Sequence, residues 1–194
     1  MNEIINPAQA EQKLVWMDLE MTGLNPDKDL ILEIATIITG PDLEIIAHGP
    51  QLVINQSEDV LKGMNEWNTN HHTKSGLIDK VMASTVTTEQ AEQKTLAFIQ
   101  QYVPEGTGIL AGNSIWQDRR FIIKHMAKID QYLHYRMLDV SSVKILAKLW
   151  YETKSFSKEG THRALADIEE SIKELKYYQS KIFRKGSPGD TRPS

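Results

Sequence analysis

The chain of 194 residues contains no cysteine. This absence excludes a disulfide scaffold, a cysteine nucleophile and a metal site built from thiolates. Long apolar runs are also missing, because no stretch approaches the roughly 20 apolar residues that a membrane-spanning helix needs. The first residues lack the basic and apolar regions of a secretory leader. These absences predict a cytoplasmic protein that binds no membrane.

The sequence also lacks an excess of basic residues. Its 22 lysines and arginines are outnumbered by 26 aspartates and glutamates, which gives a net charge of -4 and an isoelectric point near 5.9. Many proteins that bind duplexes have an isoelectric point above about 9. We therefore expect any nucleic-acid partner to be short or to be held through metal ions.

The composition is that of an ordinary globular domain, with 40% hydrophobic and 25% charged residues. We see no internal repeat and no linker long enough to separate two domains. The sequence therefore predicts one domain over residues 13–183, preceded by an extension at 1–12 and followed by a disordered tail at 184–194.

The first part of the domain predicts strands, and the second part predicts mostly helices. Aliphatic and β-branched residues dominate 13–21, 30–39 and 43–54, which predicts an antiparallel meander of three strands. Two further short strands are predicted at 106–112 and 136–140. Apolar residues three or four apart predict helices at 57–67, 74–83, 88–103, 114–129, 141–151 and from 165 onward. This order predicts an α/β fold with a mixed five-stranded sheet flanked by helices.

Two carboxylates interrupt the first predicted strand. Alternation along a strand places Asp18 and Glu20 on one face, about 6.6 Å apart, so both can reach one cluster of ions. Carboxylates in a core strand are costly to desolvate unless a positive group meets them. A strand end that leaves into water, where both acids are solvated, is the alternative that the sequence alone leaves open.

A third acid, Asp118, lies in the first turn of a predicted helix. Ser114 and Gln117 have the S-x-x-Q spacing of a capping box, which predicts that this helix begins at Ser114. Acids are common in a first turn because they complement the helix dipole, so a purely structural role also accounts for Asp118. However, the segment before it predicts a strand, and sites in α/β folds gather where strands run into helices.

The start of the last helix supplies Asp167 and His162. Asp167 follows Arg163 at the i,i+4 spacing, so a surface ion pair is one explanation for it, and a polar helix start is one for His162. Four acids and one histidine on three elements also fit a single chemistry. They offer oxygen ligands for two Mg²⁺ or Mn²⁺ ions and an imidazole that takes a proton from water. The lack of a HExxH pair argues against zinc.

Four segments, taken together and in this order, resemble one family of enzymes. They are VWMDLEMTGL at 15–24, GNSIWQDRRFI at 112–122, YRMLDVSS at 135–142 and GTHRALADIEESIKEL at 160–175. They resemble the DEDD-type 3′-to-5′ exonucleases of the ribonuclease H-like superfamily, in the subclass with a histidine base. The segment MNEWNTNHHTKSGL at 64–77 is most similar to the oligoribonucleases within that family.

The resemblance implies a ribonuclease H-like fold and a two-metal mechanism. Asp18, Glu20, Asp118 and Asp167 would hold the ions. His162, as general base, and one ion would activate the water that attacks the terminal phosphodiester, while the second ion would stabilise the departing 3′ oxygen. The product would be a nucleoside 5′-monophosphate.

The resemblance also implies a pocket for a very short single-stranded RNA. Leu24 and Trp67 would sandwich the bases, with little sequence selectivity because every base has an aromatic face. Packing in the core is the alternative for Trp67. Four further residues match positions that would hold the 5′ phosphate of the substrate: His72, Ser114, Arg136 and Ser141.

Some of these assignments have rivals. The planar guanidinium of Arg136 suits bidentate binding of a phosphate. Ser114, in contrast, is also the expected helix cap, and His71 beside His72 leaves the choice of histidine open. The resemblance further implies a homodimer in which Tyr135 is contributed across the interface.

The sequence therefore supports one leading function and two alternatives. The leading function is a Mg²⁺- or Mn²⁺-dependent exoribonuclease that degrades oligoribonucleotides of a few residues, including dinucleotides. A DEDD exonuclease that acts on DNA or RNA tails is disfavoured by the acidic charge, since long substrates usually need a basic track. A non-catalytic nucleic-acid-binding or scaffold protein is disfavoured by the complete acid set, which has no obvious structural benefit.

Overall fold

The computed structural model describes residues 12–156 and 163–183. These residues contain a mixed sheet of six strands. Its strands are β1 (Leu14–Met21), β2 (Ile31–Thr39), β3 (Ile45–His48), β4 (Leu52–Val53), β5 (Ile109–Gly112) and β6 (Met137–Asp139). The order across the sheet is β3-β2-β1-β5-β6, and β4 also pairs with β2. The β1–β2 and β2–β3 pairs are antiparallel, whereas the β1–β5 and β5–β6 pairs are parallel. The mixed sheet and the antiparallel meander are confirmed.

Helices cover both faces of the sheet. They are α1 (Glu58–Lys62), α2 (Glu66–Lys74), α3 (Leu77–Ala83), α4 (Thr88–Tyr102), α5 (Ile115–His125), α6 (Ala127–Tyr132), α7 (Val140–Tyr151) and α8 (Ala164–Ile182). Helices α4, α5 and α6 bury their apolar residues against one face, and α7 and α8 bury theirs against the other. None of the helices in the described parts of the chain combines the length and apolarity that crossing a bilayer requires.

Strand β1 lies at the centre of the sheet and is buried from both sides. Met17 packs with the α4–α6 layer, and Trp16 packs with the α7–α8 layer. Because side chains alternate along a strand, Asp18 and Glu20 follow Trp16 onto the α8 face. Strand β5 pairs with β1 only from Leu14 to Trp16. The acidic half of β1 therefore extends past the end of its parallel neighbour.

The third predicted strand is in fact two strands. The single strand expected at 43–54 is broken at Gly49–Pro50, and its two parts pair with successive stretches of β2. Proline has no N–H to continue a ladder of hydrogen bonds. The Gly49 N–H still donates to the Thr36 carbonyl at 2.8 Å, which keeps the chain close to β2 across the break. The prediction of five strands is thus wrong by one short strand.

Two predicted helices are also divided. The helix expected at 57–67 ends at Lys62, and a new helix begins after Asn65, whose side chain accepts the Asn68 N–H. The helix expected at 114–129 ends at His125, because the buried residue Met126 adopts a non-helical conformation before α6. The extension and the tail expected at the two ends lie outside the described residues, apart from Gln12, so the domain bounds remain a prediction.

Candidate active site

Three carboxylates converge on the α8 face of β1. Asp18 and Glu20 project from β1, and Asp167 projects from the first turn of α8. Each offers one oxygen atom, and these three atoms lie within 4.8 Å of one another. All three residues are partly buried. This clustering favours the predicted ion site over a strand end that leaves into water.

Asp118 approaches β1 from the edge that β5 leaves open. It lies in the first turn of α5 and is buried. Its Oδ1 atom accepts a hydrogen bond from the backbone N–H of Leu19 at 3.0 Å. The carboxylate therefore pairs with β1 beyond Trp16, where the parallel ladder has ended. Leu19 lies between Asp18 and Glu20 in the sequence, so this contact holds Asp118 at the part of β1 that carries both acids, where its charge acts on Glu20.

Burial and mutual repulsion raise the pKa of two acids in this group. Burial, together with the charges of Asp167, Glu33 and Asp118, raises the pKa of Glu20 to about 8. Burial also raises the pKa of Asp118 to about 7, against the opposing effect of the Leu19 hydrogen bond. Crowded carboxylates of this kind are stabilised by protons or by cations. Their oxygen-only donor set fits Mg²⁺ or Mn²⁺.

A buried ion pair fixes the start of α8. Glu33 is fully buried in β2, opposite Glu20. Its Oε1 accepts from Arg163 Nη2 at 2.6 Å and its Oε2 accepts from Arg163 Nε at 3.2 Å. Arg163 therefore pairs with Glu33 of β2 and does not form the surface ion pair with Asp167 that their spacing suggested. Glu33 is not among the site residues predicted from the sequence, although it is the single charge in the aliphatic stretch ILEIATIIT.

The predicted general base, His162, lies outside the described residues. It immediately precedes Arg163 in the sequence, so the ion pair with Glu33 anchors the residue next to it. Its role as a base remains a prediction.

His72, on α2, lies next to the carboxylate of Glu20. Its side chain is buried, with Nε2 at 2.9 Å from the Met21 carbonyl and Nδ1 at 3.9 Å from Glu20 Oε2. Burial lowers the pKa of His72, which favours the neutral ring. The neighbouring His71 stacks on Trp67, with ring centroids 4.7 Å apart, and one of its ring nitrogens also lies within 4.8 Å of ligand atoms of Glu20 and His72. The two adjacent histidines therefore both approach Glu20, but only His71 also contacts the exposed Trp67.

Two exposed apolar side chains stand beyond the end of β1. Leu24 is 67% exposed and Trp67 is 68% exposed, so packing in the core does not account for Trp67. The Leu24 carbonyl accepts a hydrogen bond from Gln117 Nε2 at 2.8 Å, which ties the loop between β1 and β2 to α5. The Asn68 side chain donates to the Thr22 carbonyl at 3.0 Å, which ties α2 to the same loop.

Ser114 and Ser141, two of the predicted phosphate ligands, are in direct contact. Their hydroxyl oxygens lie 3.1 Å apart, and the Ser114 N–H donates to Ser141 Oγ at 3.0 Å and to Asp139 Oδ1 at 2.9 Å. The capping box predicted at Ser114 and Gln117 is wrong. Ser114 adopts the left-handed conformation, with a φ of 50°, and its side chain makes no capping bond. Its hydroxyl points instead to α7.

Arg119 holds the segment that carries Tyr135 and Arg136. This arginine is buried, and its Nη1 donates to the Tyr135 carbonyl at 2.7 Å, while its Nε donates to Asp130 at 3.0 Å. Tyr135 is 71% exposed, and the Arg136 guanidinium lies 5.3 Å from the centre of its ring. Arg119 is not among the site residues predicted from the sequence. Its signal is a charged residue at a buried helical position directly after Asp118.

Solved structures confirm the ribonuclease H-like fold. Exonuclease I of E. coli in complex with a dA16 oligonucleotide is similar with a TM-score of 0.67 and 15% sequence identity. Exonuclease I from Methylocaldum szegediense is similar with a TM-score of 0.65 and 17% identity. Both matches cover 88% of this chain but only 41% of the solved chain. Each solved exonuclease is thus more than twice as long as the matched region.

Sequence comparisons identify the family. A family model described as Exonuclease matches residues 15–175. The oligoribonuclease of Shewanella baltica is 55% identical over 173 residues, which cover 88% of this chain and 96% of that protein. The oligoribonuclease of Shewanella loihica is 51% identical over 179 residues, which cover 91% and 99%. The chain belongs to the oligoribonuclease family of exonucleases.

Proposed function

We propose that this chain hydrolyses short oligoribonucleotides from the 3′ end to nucleoside 5′-monophosphates by a two-metal mechanism. Its family and fold are those of metal-dependent exoribonucleases. The observation that carries the two-metal part is the convergence of oxygen atoms of Asp18, Glu20 and Asp167 within 4.8 Å, close to Asp118, which bonds the backbone of β1 from α5. An oxygen-only cluster of four acids has the charge to offset two divalent cations.

The four carboxylates would hold Mg²⁺ or Mn²⁺. Bound ions of this kind lower the pKa of a coordinated water and stabilise charge on the transferred phosphoryl group. His162 would accept the proton of the attacking water at its neutral imidazole. Glu33 and Arg163 would keep the start of α8, and with it Asp167, in place against β2.

The substrate pocket would extend from these carboxylates across the exposed side chains. Leu24 and Trp67 would hold two bases between them, and stacking is worth roughly 1–3 kcal/mol per base. The exposed position of both side chains supports this role. His72 would face the substrate only through Nδ1, because its Nε2 contacts the Met21 carbonyl.

A second part of the pocket would hold the 5′ phosphate. Ser114, Ser141 and Arg136 supply hydroxyl and guanidinium groups there. The contact between the two serines supports a shared subsite. A terminal phosphate carries more charge than a diester, so this subsite would favour substrates whose 5′ end lies within it. Dinucleotides with a 5′ phosphate would bind best.

A homodimer would complete the site. Helix α7 exposes an apolar face that includes Ile145, Leu149 and Trp150, and faces of this kind mark interaction sites. Tyr135 is highly exposed, which suits a residue that reaches a partner subunit. Light scattering would test the dimer, with Leu149→Glu expected to give monomers. The cytoplasmic location remains part of the proposal, and fractionation of cells would test it.

The function is tested with 5′-labelled RNAs of two to ten nucleotides in Mn²⁺ or EDTA. We expect stepwise shortening from the 3′ end, release of nucleoside 5′-monophosphates and no reaction in EDTA. Asp18→Asn should be inactive, whereas Asp79→Asn, an exposed control on α3, should match the wild type. Internal cleavage, or full activity in EDTA, would contradict the proposal.

A further inference from the structure

A row of hydrogen bonds links α8 to the two serines of the proposed phosphate subsite. At its centre is Asn113, the last residue before Ser114. The Asn113 Nδ2 group donates to Ser171 Oγ at 2.8 Å and to Glu174 Oε2 at 3.1 Å, both on α8. On its other side, Asn113 Oδ1 accepts the hydroxyl of Ser141 at 3.1 Å. One side chain therefore connects three elements: the β5–α5 corner, α7 and α8.

The partners of Asn113 on α8 leave its amide only one orientation. The Ser171 hydroxyl donates its proton to the Asp167 carbonyl at 2.8 Å, so Ser171 Oγ can only accept from Asn113. Glu174 is fully buried, and its carboxylate accepts from Tyr178 and pairs with Lys144 at 3.3 Å. Both α8 partners are acceptors, so the NH₂ group of Asn113 must face them and its oxygen must face Ser141.

The same bonds join the two ends of the proposed pocket. Ser171 bonds the carbonyl of Asp167, whose carboxylate belongs to the ion cluster, and Asn113 bonds Ser171. From Asn113 the row continues through Ser141 to Ser114. The metal-binding end of α8 and the serine pair are thus tied to each other through side chains in the interior. A shift of one relative to the other would break at least one of these bonds.

We infer that Asn113 is a positioning residue that fixes the spacing between the 5′-phosphate subsite and the carboxylate cluster, and so sets the preference for the shortest substrates. The inference rests on the proposed function, because it needs the serine pair to hold that phosphate. While Ser141 donates to Asn113, the Ser114 hydroxyl can turn its proton to a phosphate oxygen. A dinucleotide must meet both subsites at once, so it depends on their spacing. A longer RNA, or a dinucleotide without the 5′ phosphate, does not.

Asn113→Ala tests this inference when kcat and KM are measured with three substrates: a 5′-phosphorylated dinucleotide, the same dinucleotide with a 5′ hydroxyl, and a 5′-phosphorylated pentanucleotide. We expect the KM for the phosphorylated dinucleotide to rise about tenfold. The other two values should change less than twofold, and kcat should be kept. Ser142→Ala, an exposed neighbour of Ser141 on α7, is the control and should alter none of the values.

A charge-conserving pair of variants tests the direction of the bonds. Asn113→Asp keeps the acceptor for Ser141 but places a carboxylate against Glu174, so it should lose the preference as Asn113→Ala does. Adding Glu174→Gln supplies a donor that faces Asp at position 113, and the double variant should regain part of the preference, since the contact with Ser171 is still between two acceptors. An equal loss for all three substrates in Asn113→Ala, or an unchanged preference in Asn113→Asp, would overturn the inference.

The failure of this inference is distinguishable from failure of the proposed function. If the wild type prefers the phosphorylated dinucleotide and Asn113→Ala keeps that preference, only the role of Asn113 is wrong. If the wild type shows no preference for a 5′ phosphate at any length, the phosphate subsite itself is wrong, and the role of Asn113 falls with it.

Discussion

Arg163 and Glu33 form a two-pronged ion pair inside the protein, with Arg163 Nη2 at 2.6 Å and Arg163 Nε at 3.2 Å from the two carboxylate oxygens. Glu33 also accepts from Gln51 at 2.9 Å, so its buried charge is well supplied with donors. Because Arg163 precedes the first residue of α8, this pair sets where that helix meets the sheet. The position of Asp167 in the ion cluster depends on it.

Breaking this pair should destabilise the protein strongly. Arg163→Met leaves the Glu33 carboxylate buried without its partner, which should lower the free energy of unfolding by about 3 kcal/mol. Urea denaturation measures the change. Lys62→Met, which breaks an exposed i,i+4 pair with Glu58, is the control and should cost less than about 0.5 kcal/mol. Equal losses of unfolding free energy in the two variants would show that the buried pair stabilises the protein no more than an exposed pair does.

The metal-free protein should lose stability as the pH rises. Burial raises the pKa of Glu20 to about 8 from its ordinary value of 4.5, so the folded state holds a proton that the unfolded state has released. The stabilisation is complete below about pH 4.5 and is lost as the pH passes through 8. Melting temperatures in EDTA should fall across this range, and Glu20→Gln should reduce the fall. A melting temperature that rises with pH over this window would contradict the assignment.

Removing any one carboxylate of the cluster should nearly abolish hydrolysis and leave the fold intact. The variants Asp18→Asn, Glu20→Gln, Asp118→Asn and Asp167→Asn should each lose on the order of 100-fold in rate. The amide oxygen in Asp118→Asn can still accept the Leu19 N–H, so circular dichroism should be unchanged. If a variant keeps more than about a tenth of the rate in saturating Mn²⁺, the substituted residue is not a metal ligand.

His162 should give the reaction its dependence on pH near neutrality. Only the neutral ring accepts a proton, so the rate should rise through the ordinary imidazole pKa of about 6.5. His162→Ala should lose both this rise and most of the rate, while His48→Ala, an exposed histidine on β3, should keep both. A pH profile that survives in His162→Ala would assign the base elsewhere.

Local patterns predicted the strands and the acids, but not the contacts that hold the site together. Alternation placed Asp18 and Glu20 on one face, and the structure confirms it because β1 is regular through both residues. The capping box predicted at Ser114 does not form, because the S-x-x-Q spacing is a local pattern, whereas the Ser114 hydroxyl contacts Ser141, 27 residues away. Spacing along the sequence cannot reveal a partner so distant.

The same limit applies to the residues that the sequence analysis overlooked. Glu33 pairs with Arg163, which is 130 residues further along the chain, and Asn113 bonds Glu174, which is 61 residues further along. Both pairs form only when α8 packs on the sheet. The resemblance to a family supplied the roles of Trp67 and Arg136, which composition and periodicity alone left open. The fold of the described residues followed from both kinds of argument.

The most direct test of the central claim, a metal site joined to a pocket for very short RNA, compares binding of a 5′-phosphorylated dinucleotide and a ten-mer in Ca²⁺, an ion expected to support binding better than turnover. The dinucleotide should bind more tightly. Arg136→Ala should weaken it far more than it weakens the ten-mer, and Trp67→Ala should weaken both, since every substrate stacks there. Equal or tighter binding of the ten-mer, with a strong dependence on salt, would contradict the account and indicate an exonuclease that follows long strands.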